Sequence, residues 1–220
     1  MELLTVASAA ERLGITTRQV QHLVANGTLT SLARGVIDER SVERYLATRG
    51  AFRRRPWQEA TAWGAVALLS GREATWMGDT QQSRLRGQLR TLIATELVGR
   101  ARGRAVVSRY TGHTSTTSRL RDQVVGTSAA AESLGLTATA AVDGYVATGA
   151  LNTLVAAHGL IRDEAGPFTL RATSMPLDVV AGLAHTAPVL AALDLAESLD
   201  VRERRAGVDA LTGALERFHG

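Results

Sequence analysis

Thr16-Thr17-Arg18-Gln19-Val20-Gln21-His22-Leu23-Val24-Ala25-Asn26-Gly27 is the stretch on which the fold turns. Thr16 offers the short side-chain oxygen that caps a helix N-terminus, and Gly27 the backbone freedom that ends one. Val20, Leu23 and Val24 fall at i, i+3 and i+4 and form one buried face. Arg18, Gln21, His22 and Ala25 lie opposite, so the outward face is mostly polar. Upstream, Thr5 caps a helix predicted to reach about Leu13, and Gly14 ends it. A short helix, a glycine turn and a second helix with a polar outer face make a helix-turn-helix.

The pattern continues beyond it. Leu29 to Ala33 reads as a strand, Arg34-Gly35 as a tight turn and Val36-Ile37 as the returning strand. Asp38 then caps a helix from Glu39 to about Thr48, with Val42, Tyr45 and Leu46 inward. Such a two-stranded wing sets a basic turn beside the groove that the second helix enters.

Leu4-Thr5-Val6-Ala7-Ser8-Ala9-Ala10-Glu11-Arg12-Leu13-Gly14-Ile15 resembles the opening of MerR-type and excisionase-type winged-helix domains, as does Leu23-Val24-Ala25-Asn26-Gly27-Thr28-Leu29 with its Arg34-Gly35 wing. The likeness covers roughly the first 47 residues and implies double-stranded DNA as partner. Arg18, Gln21 and His22 are then the base-reading candidates, since arginine pairs with guanine and glutamine with adenine. Thr16, Thr17, Arg34 and Gly35 are candidates for phosphate contact. An ordinary polar helix face stays the alternative, most of all for His22.

Charge supports a polyanionic partner for one half of the chain. The formal net charge of +4 over 220 residues divides into 19 arginines against 10 acids up to residue 124, and 6 against 11 after it. Every basic residue is arginine, which removes lysine-based chemistry, and the absence of cysteine removes disulfides, thiolate nucleophiles and zinc fingers. The longest uncharged run, Gly144 to Ile161, carries three glycines, an asparagine and a histidine and makes a poor bilayer span. A cytoplasmic protein with no membrane partner is expected.

Arg53, Arg54 and Arg55 before Pro56 form a basic linker, residues 50–56, suited to phosphates. Beyond it, helices are expected at Trp57 to about Ser70 and at Gln81 to Ala94, with a strand at Ala105 to Tyr110. Leu97-x3-Ala101-Arg102-Gly103 matches Leu29-x3-Ala33-Arg34-Gly35, so residues 57–113 are a candidate second winged helix. Arg86, Arg90, Arg102 and Arg104 would be its DNA contacts. A chance match in a chain rich in alanine, arginine and glycine stays open beside that reading.

Residues 114–220 read as an acidic C-terminal α/β interaction domain. Thr111 to Ser118 is a polar loop leading into a helix near Thr117; His113 and Ser115 there lack an orienting carboxylate. Leu151 to His158 is a helix. Leu160 to Arg162 and Phe168 to Ala172 flank the turn Asp163-Glu164-Ala165-Gly166-Pro167 as a hairpin, with Asp163 and Glu164 expected in solvent. Ala187 to Glu197 and Val201 to Phe218, the latter behind Asp200 as cap, form a closing helical hairpin.

Val142-Asp143-Gly144-Tyr145-Val146, Leu154 through Leu160, Thr169-Leu170-Arg171, Asp194-Leu195-Ala196-Glu197-Ser198 and Asp200-x-Arg202-Glu203-Arg204 resemble the C-terminal domains of AbiEi-family type IV antitoxins. That resemblance implies an autorepressor of its own promoter and a nucleotidyltransferase-type toxin as partner. The five histidines show no metal-ligand spacing, and no phosphate-cradling loop is present, so neither metal nor cofactor is expected. The fold class expected is α+β, predominantly helical, and the function a sequence-specific DNA-binding regulator rather than an enzyme. The alternative is a module that neutralises a protein partner directly, with DNA contact secondary.

Overall fold

The computed structural model describes residues 3–49, 55–132, 134, 142–198 and 200–219, and it is α+β. The N-terminal head begins with strand β1 (Leu3–Thr5), helix α1 (Val6–Leu13) and helix α2 (Thr17–Ala25). Strands β2 (Ser31–Ala33) and β3 (Val36–Asp38) and helix α3 (Glu39–Arg49) complete it. The caps fall where the sequence sets them. Thr5 Oγ1 accepts from the Ser8 N–H at 3.0 Å, and Gly14 turns left-handed at φ 62° to end α1. Thr16 and Gln19 form a reciprocal capping box on α2. Asp38 Oδ1 accepts from the Arg40 N–H at 3.0 Å at the start of α3. The sheet order is β1-β3-β2; β1 pairs with β3 and adds a strand that the sequence reading did not separate from the α1 cap. Val20, Leu29, Ile37 and Val42 close over Ala9, Ala10 and Leu13 as a core of small aliphatic side chains.

The body contains helices α4 (Glu59–Leu69), α5 (Asp79–Leu89) and α6 (Ala94–Ala101), a 3-10 turn Arg102–Arg104, and strand β4 (Val106–Thr111). Then come α7 (Thr116–Arg121), β5 (Val125–Gly126), α8 (Ser128–Glu132), β6 (Val142–Ala147), α9 (Leu151–Ala157), β7 (Ile161–Arg162) and β8 (Phe168–Thr173). Helices α10 (Leu177–Thr186), α11 (Val189–Ala196) and α12 (Val201–His219) close the chain. The strands form one sheet in the order β5-β6-β8-β4-β7, in which β6 and β8 run parallel and the other pairs antiparallel.

The sheet corrects three expectations. Residues 57–113 are not a separate winged helix, because β4 lies between β8 and β7 in the sheet that the C-terminal half builds. Leu97 and Ala101 lie on helix α6 and are buried, not on a wing strand. The glycines of the two matching segments differ in kind. Gly35 sits at φ 81° in an open turn, whereas a Cβ on Gly103 would lie 2.0 Å from the Trp57 carbonyl oxygen. The boundary at residues 113 and 114 therefore falls within one packed unit. Finally, β7 and β8 are not a hairpin with each other: both pair with β4, which runs between them.

Two layers pack on the sheet. Leu170, Phe168, Tyr110, Val142 and Val146 pack with Leu120 and Leu160 on one face. On the other side lies the larger core of α4, α5, α6, α10, α11 and α12 around Trp63, Leu97, Leu190 and Leu211. The close approach of α11 and α12 depends on Gly207, whose Cβ would meet the Ala192 carbonyl oxygen at 2.5 Å. Among the described residues, no single helix is long and apolar enough to cross a membrane. The apolar helices α10 and α11 are bent by 95° to each other.

Candidate functional site

The exposed residues of α2 and the β2–β3 turn make the first candidate. Thr17, Arg18, Gln21 and His22 are exposed, as are Arg34 and Gly35 at the hairpin turn and Arg55 after the head. Thr16 is also exposed, but its hydroxyl accepts from the Gln19 N–H at 3.2 Å and is engaged as a cap. Arg12, in the last turn of α1, bridges to Glu39 at 2.8 Å and Glu43 at 2.6 Å, so it braces α3. Arg53 and Arg54 lie outside the described residues.

His22 differs from its neighbours on α2. With Leu23, Asn26, Gly27 and Thr28 it forms one wall of a cavity whose other wall belongs to the body. The head is tied to the body by Thr30, whose hydroxyl donates to the Glu164 carboxylate; both side chains are buried. Glu164 is thus not a solvated turn residue. Asp163 also has a local task, accepting from the Ala165 N–H at 2.9 Å.

The second set of expected DNA contacts does not form a surface of that kind. Arg104 is 1% exposed and lies inside the body. Its Nε donates to Tyr145 Oη at 2.8 Å, its Nη2 to Asp194 Oδ1 at 2.7 Å and to Glu197 Oε2 at 3.0 Å, and its Nη1 to Glu197 Oε1 at 3.1 Å. The other Nη1 hydrogen goes to the Ala101 carbonyl oxygen at 3.2 Å, so the guanidinium has no donor left for phosphate. Arg102 is half-buried and lines the cavity beneath α2. Arg86 and Arg90 belong to the last turn and C-cap of α5, which leads into helix α6 rather than into a wing.

Around Arg104 lies a cluster that the sequence did not show as a site. Strand alternation sends Phe168, Leu170 and Ala172 to the apolar face and Thr169, Arg171 and Thr173 to the other, yet all six are buried. Arg171 holds Asp143 with two bonds, Nε to Oδ1 at 2.7 Å and Nη2 to Oδ2 at 2.9 Å, and gives Nη1 to Glu197 at 3.1 Å. Tyr145 donates to Asp194 Oδ1 at 2.6 Å, and Thr127 to Asp194 Oδ2 at 3.0 Å. Burial opposes the charge on both arginines, but Glu197 and Asp194 at Arg104, and Asp143 and Asp194 at Arg171, more than restore it and hold both protons firmly. Burial pushes the Tyr145 phenol well up, and its bond to Asp194 adds to this, so it acts as a neutral donor.

Arg109 completes the row. It faces Thr169 across β4 and β8, and Thr169 faces Asp143 across β8 and β6. Its Nε is buried and finds no hydrogen-bond partner among the described residues. Burial lowers its affinity for its proton, with Asp143 opposing that effect and Arg171 reinforcing it.

No family model, curated protein or solved structure matches this chain.

The cluster gathers residues scattered along the C-terminal half of the chain: Asp143, Tyr145, Arg171, Asp194 and Glu197. One signal for it stood in the sequence. Asp194 stands between the apolar stretches Val189-Leu190-Ala191-Ala192-Leu193 and Leu195-Ala196, and a lone carboxylate in an apolar helix needs a buried partner. His113 Nδ1 and Ser115 Oγ do meet, at 2.8 Å, but the Ser115 N–H also donates to that nitrogen at 3.2 Å, which makes the contact a local turn bond at an exposed loop.

Proposed function

We propose that the chain is a sequence-specific DNA-binding regulator whose head acts as a winged helix-turn-helix. Helix α2 enters the major groove by its N-terminal half, and the β2–β3 turn lies along the adjacent backbone. The carrying observation is the exposure of Thr17, Arg18 and Gln21 on one capped helix, with Arg34 exposed at the hairpin turn. Helix-turn-helix proteins read base edges with the N-terminal residues of the second helix. The docked body stands at the other end of α2, beside His22 and Asn26, and leaves that half open. Arg55 is a phosphate contact in this reading, together with Arg53 and Arg54. His22 is demoted from base reader to a residue of the head–body cleft.

Repression of its own promoter is the regulatory act proposed, with the DNA upstream of the gene as operator. Of the segments that carry the antitoxin resemblance, Val142 to Val146 and Thr169 to Arg171 are mostly buried and assign no surface for a toxin. Fluorescence anisotropy with labelled upstream DNA tests the reading. Binding roughly a thousandfold tighter than to a scrambled duplex at the same salt is the expected result. Equal affinity for both duplexes overturns it.

A further inference from the structure

The cavity between head and body holds about 440 Å³, within the range of small-molecule sites. Its head wall is the C-terminal end of α2 with Tyr45 of α3; its body wall comes from the 3-10 turn and from β4 and β8. Leu23, Tyr45, Pro56, Val106 and Val107 give it apolar surface. Three arginines, Arg102, Arg109 and Arg171, line it against a single carboxylate, Glu197. That carboxylate is already held by Arg104 and Arg171. Arg171 is in turn held by Asp143 and Glu197, so the donor that the cleft offers is the buried Nε of Arg109, which lacks an acceptor among the described residues. A buried guanidinium donor without an acceptor carries a standing desolvation cost that an anion relieves.

A second cavity, of about 390 Å³, lies against Arg109, Arg121 and Arg171, but Asp143, Asp194, Glu197 and Glu203 line it too. Four carboxylates against three guanidiniums disfavour an anion there. Of the two, the cleft under α2 sets the Arg109 guanidinium beside apolar walls with one lining carboxylate.

We propose that this cleft binds a small organic carboxylate, its charged end on Arg109 and its apolar body between Leu23, Tyr45 and Val107. The ligand would bridge α2 to the sheet and hold the head in one orientation. That consequence for DNA rests on the regulator reading above; binding itself does not.

Benzoate is the probe, titrated calorimetrically into the full chain at fixed chloride and ionic strength. Saturable one-to-one binding is expected, with benzyl alcohol and inorganic phosphate each weaker by roughly tenfold or more, since each lacks one half of the match. Arg109→Gln is expected to weaken benzoate by roughly tenfold or more. Val107→Phe fills the hollow without touching the charge and is expected to abolish binding. Urea unfolding establishes which variants are folded, so one folded variant suffices. Benzoate heats that do not saturate, or affinity unchanged in a folded variant, overturn the proposal, as does phosphate binding as tightly as benzoate. DNA affinity measured with and without benzoate addresses the coupling alone: benzoate binding with no change in DNA affinity overturns the coupling and leaves the anion site standing.

Discussion

Arg104 and Asp194, ninety positions apart, meet at 2.7 Å where the 3-10 turn after α6 faces α11. The pair locks the three helices after the head to the C-terminal helices through the polar side of the sheet. Tyr145 and Arg171 bring β6 and β8 to the same carboxylate, at 2.6 Å and 3.3 Å. Removing one partner of a buried pair leaves the rest desolvated and unpaired, at a cost of about 3–5 kcal/mol. Arg104→Ala is therefore expected to lower unfolding free energy by about that amount in urea titration. The same variant, studied where it remains folded, should keep its DNA sequence preference, because Arg104 does not reach solvent. A stability unchanged within error would mean that the cluster is not what joins the two halves.

The head was legible because its signals are local. Thr5, Gly14, Thr16 and Gly35 each dictate a cap or turn within four residues, and Val20, Leu23 and Val24 mark a face by spacing alone. The sheet was not legible for the opposite reason. Arg171 on β8 alternates with Leu170 and Ala172 as a half-exposed strand would, and only the covering helices bury its charged side. Arg104 reads as another surface arginine until Asp194 and Glu197 arrive from far along the chain. The apparent repeat around Gly103 misled because glycine answers two demands, an open left-handed turn at Gly35 and close backbone packing on Trp57 at Gly103.

Glu59 gives an acid-side signature. Partial burial alone would raise its pKa, but the Ser174 hydroxyl and Thr173 hydroxyl donate to it, as does the Ser174 N–H at 2.6 Å. The net shift is downward from the ordinary 4.5. A carboxylate with a depressed folded pKa stabilises the fold above its unfolded pKa, and that contribution is lost as pH falls through the folded value. Glu59→Gln should lower stability at pH 7 and flatten the decline of the unfolding midpoint below about pH 4.5. Parallel acid limbs for the variant and the parent would disprove the assignment.

Gly207 on α12 is a test of helix packing. Alanine is the better helix former by about 1 kcal/mol. Its Cβ, however, would stand 2.5 Å from both the Ala192 carbonyl oxygen and the Ala196 nitrogen. Backbone atoms cannot rotate aside, so α11 and α12 must separate, and overpacking of this kind costs about 1–3 kcal/mol. The clash is expected to win, and Gly207→Ala should unfold at lower urea. Gly213→Ala on the same helix faces only the movable end of Arg217 at 3.3 Å and should be neutral or stabilising. A Gly207→Ala protein as stable as the Gly213→Ala one would show that the two helices do not pack this closely.

Salt separates the two kinds of DNA contact proposed for α2, the β2–β3 turn and Arg55. Arg18 and Gln21 are proposed to read bases, and each bidentate pairing discriminates by about 1–3 kcal/mol against the wrong base. Arg18→Ala and Gln21→Ala should therefore bring operator and scrambled DNA closer in affinity by that amount. Arg34 and Arg55 are proposed to touch phosphate, which carries no sequence information. Arg34→Ala and Arg55→Ala should weaken both duplexes alike, and each should reduce the slope of log affinity against log salt by about one. Because all four side chains are exposed, the variants should fold as the parent does. An Arg18→Ala protein with undiminished preference for the operator would remove α2 from the groove.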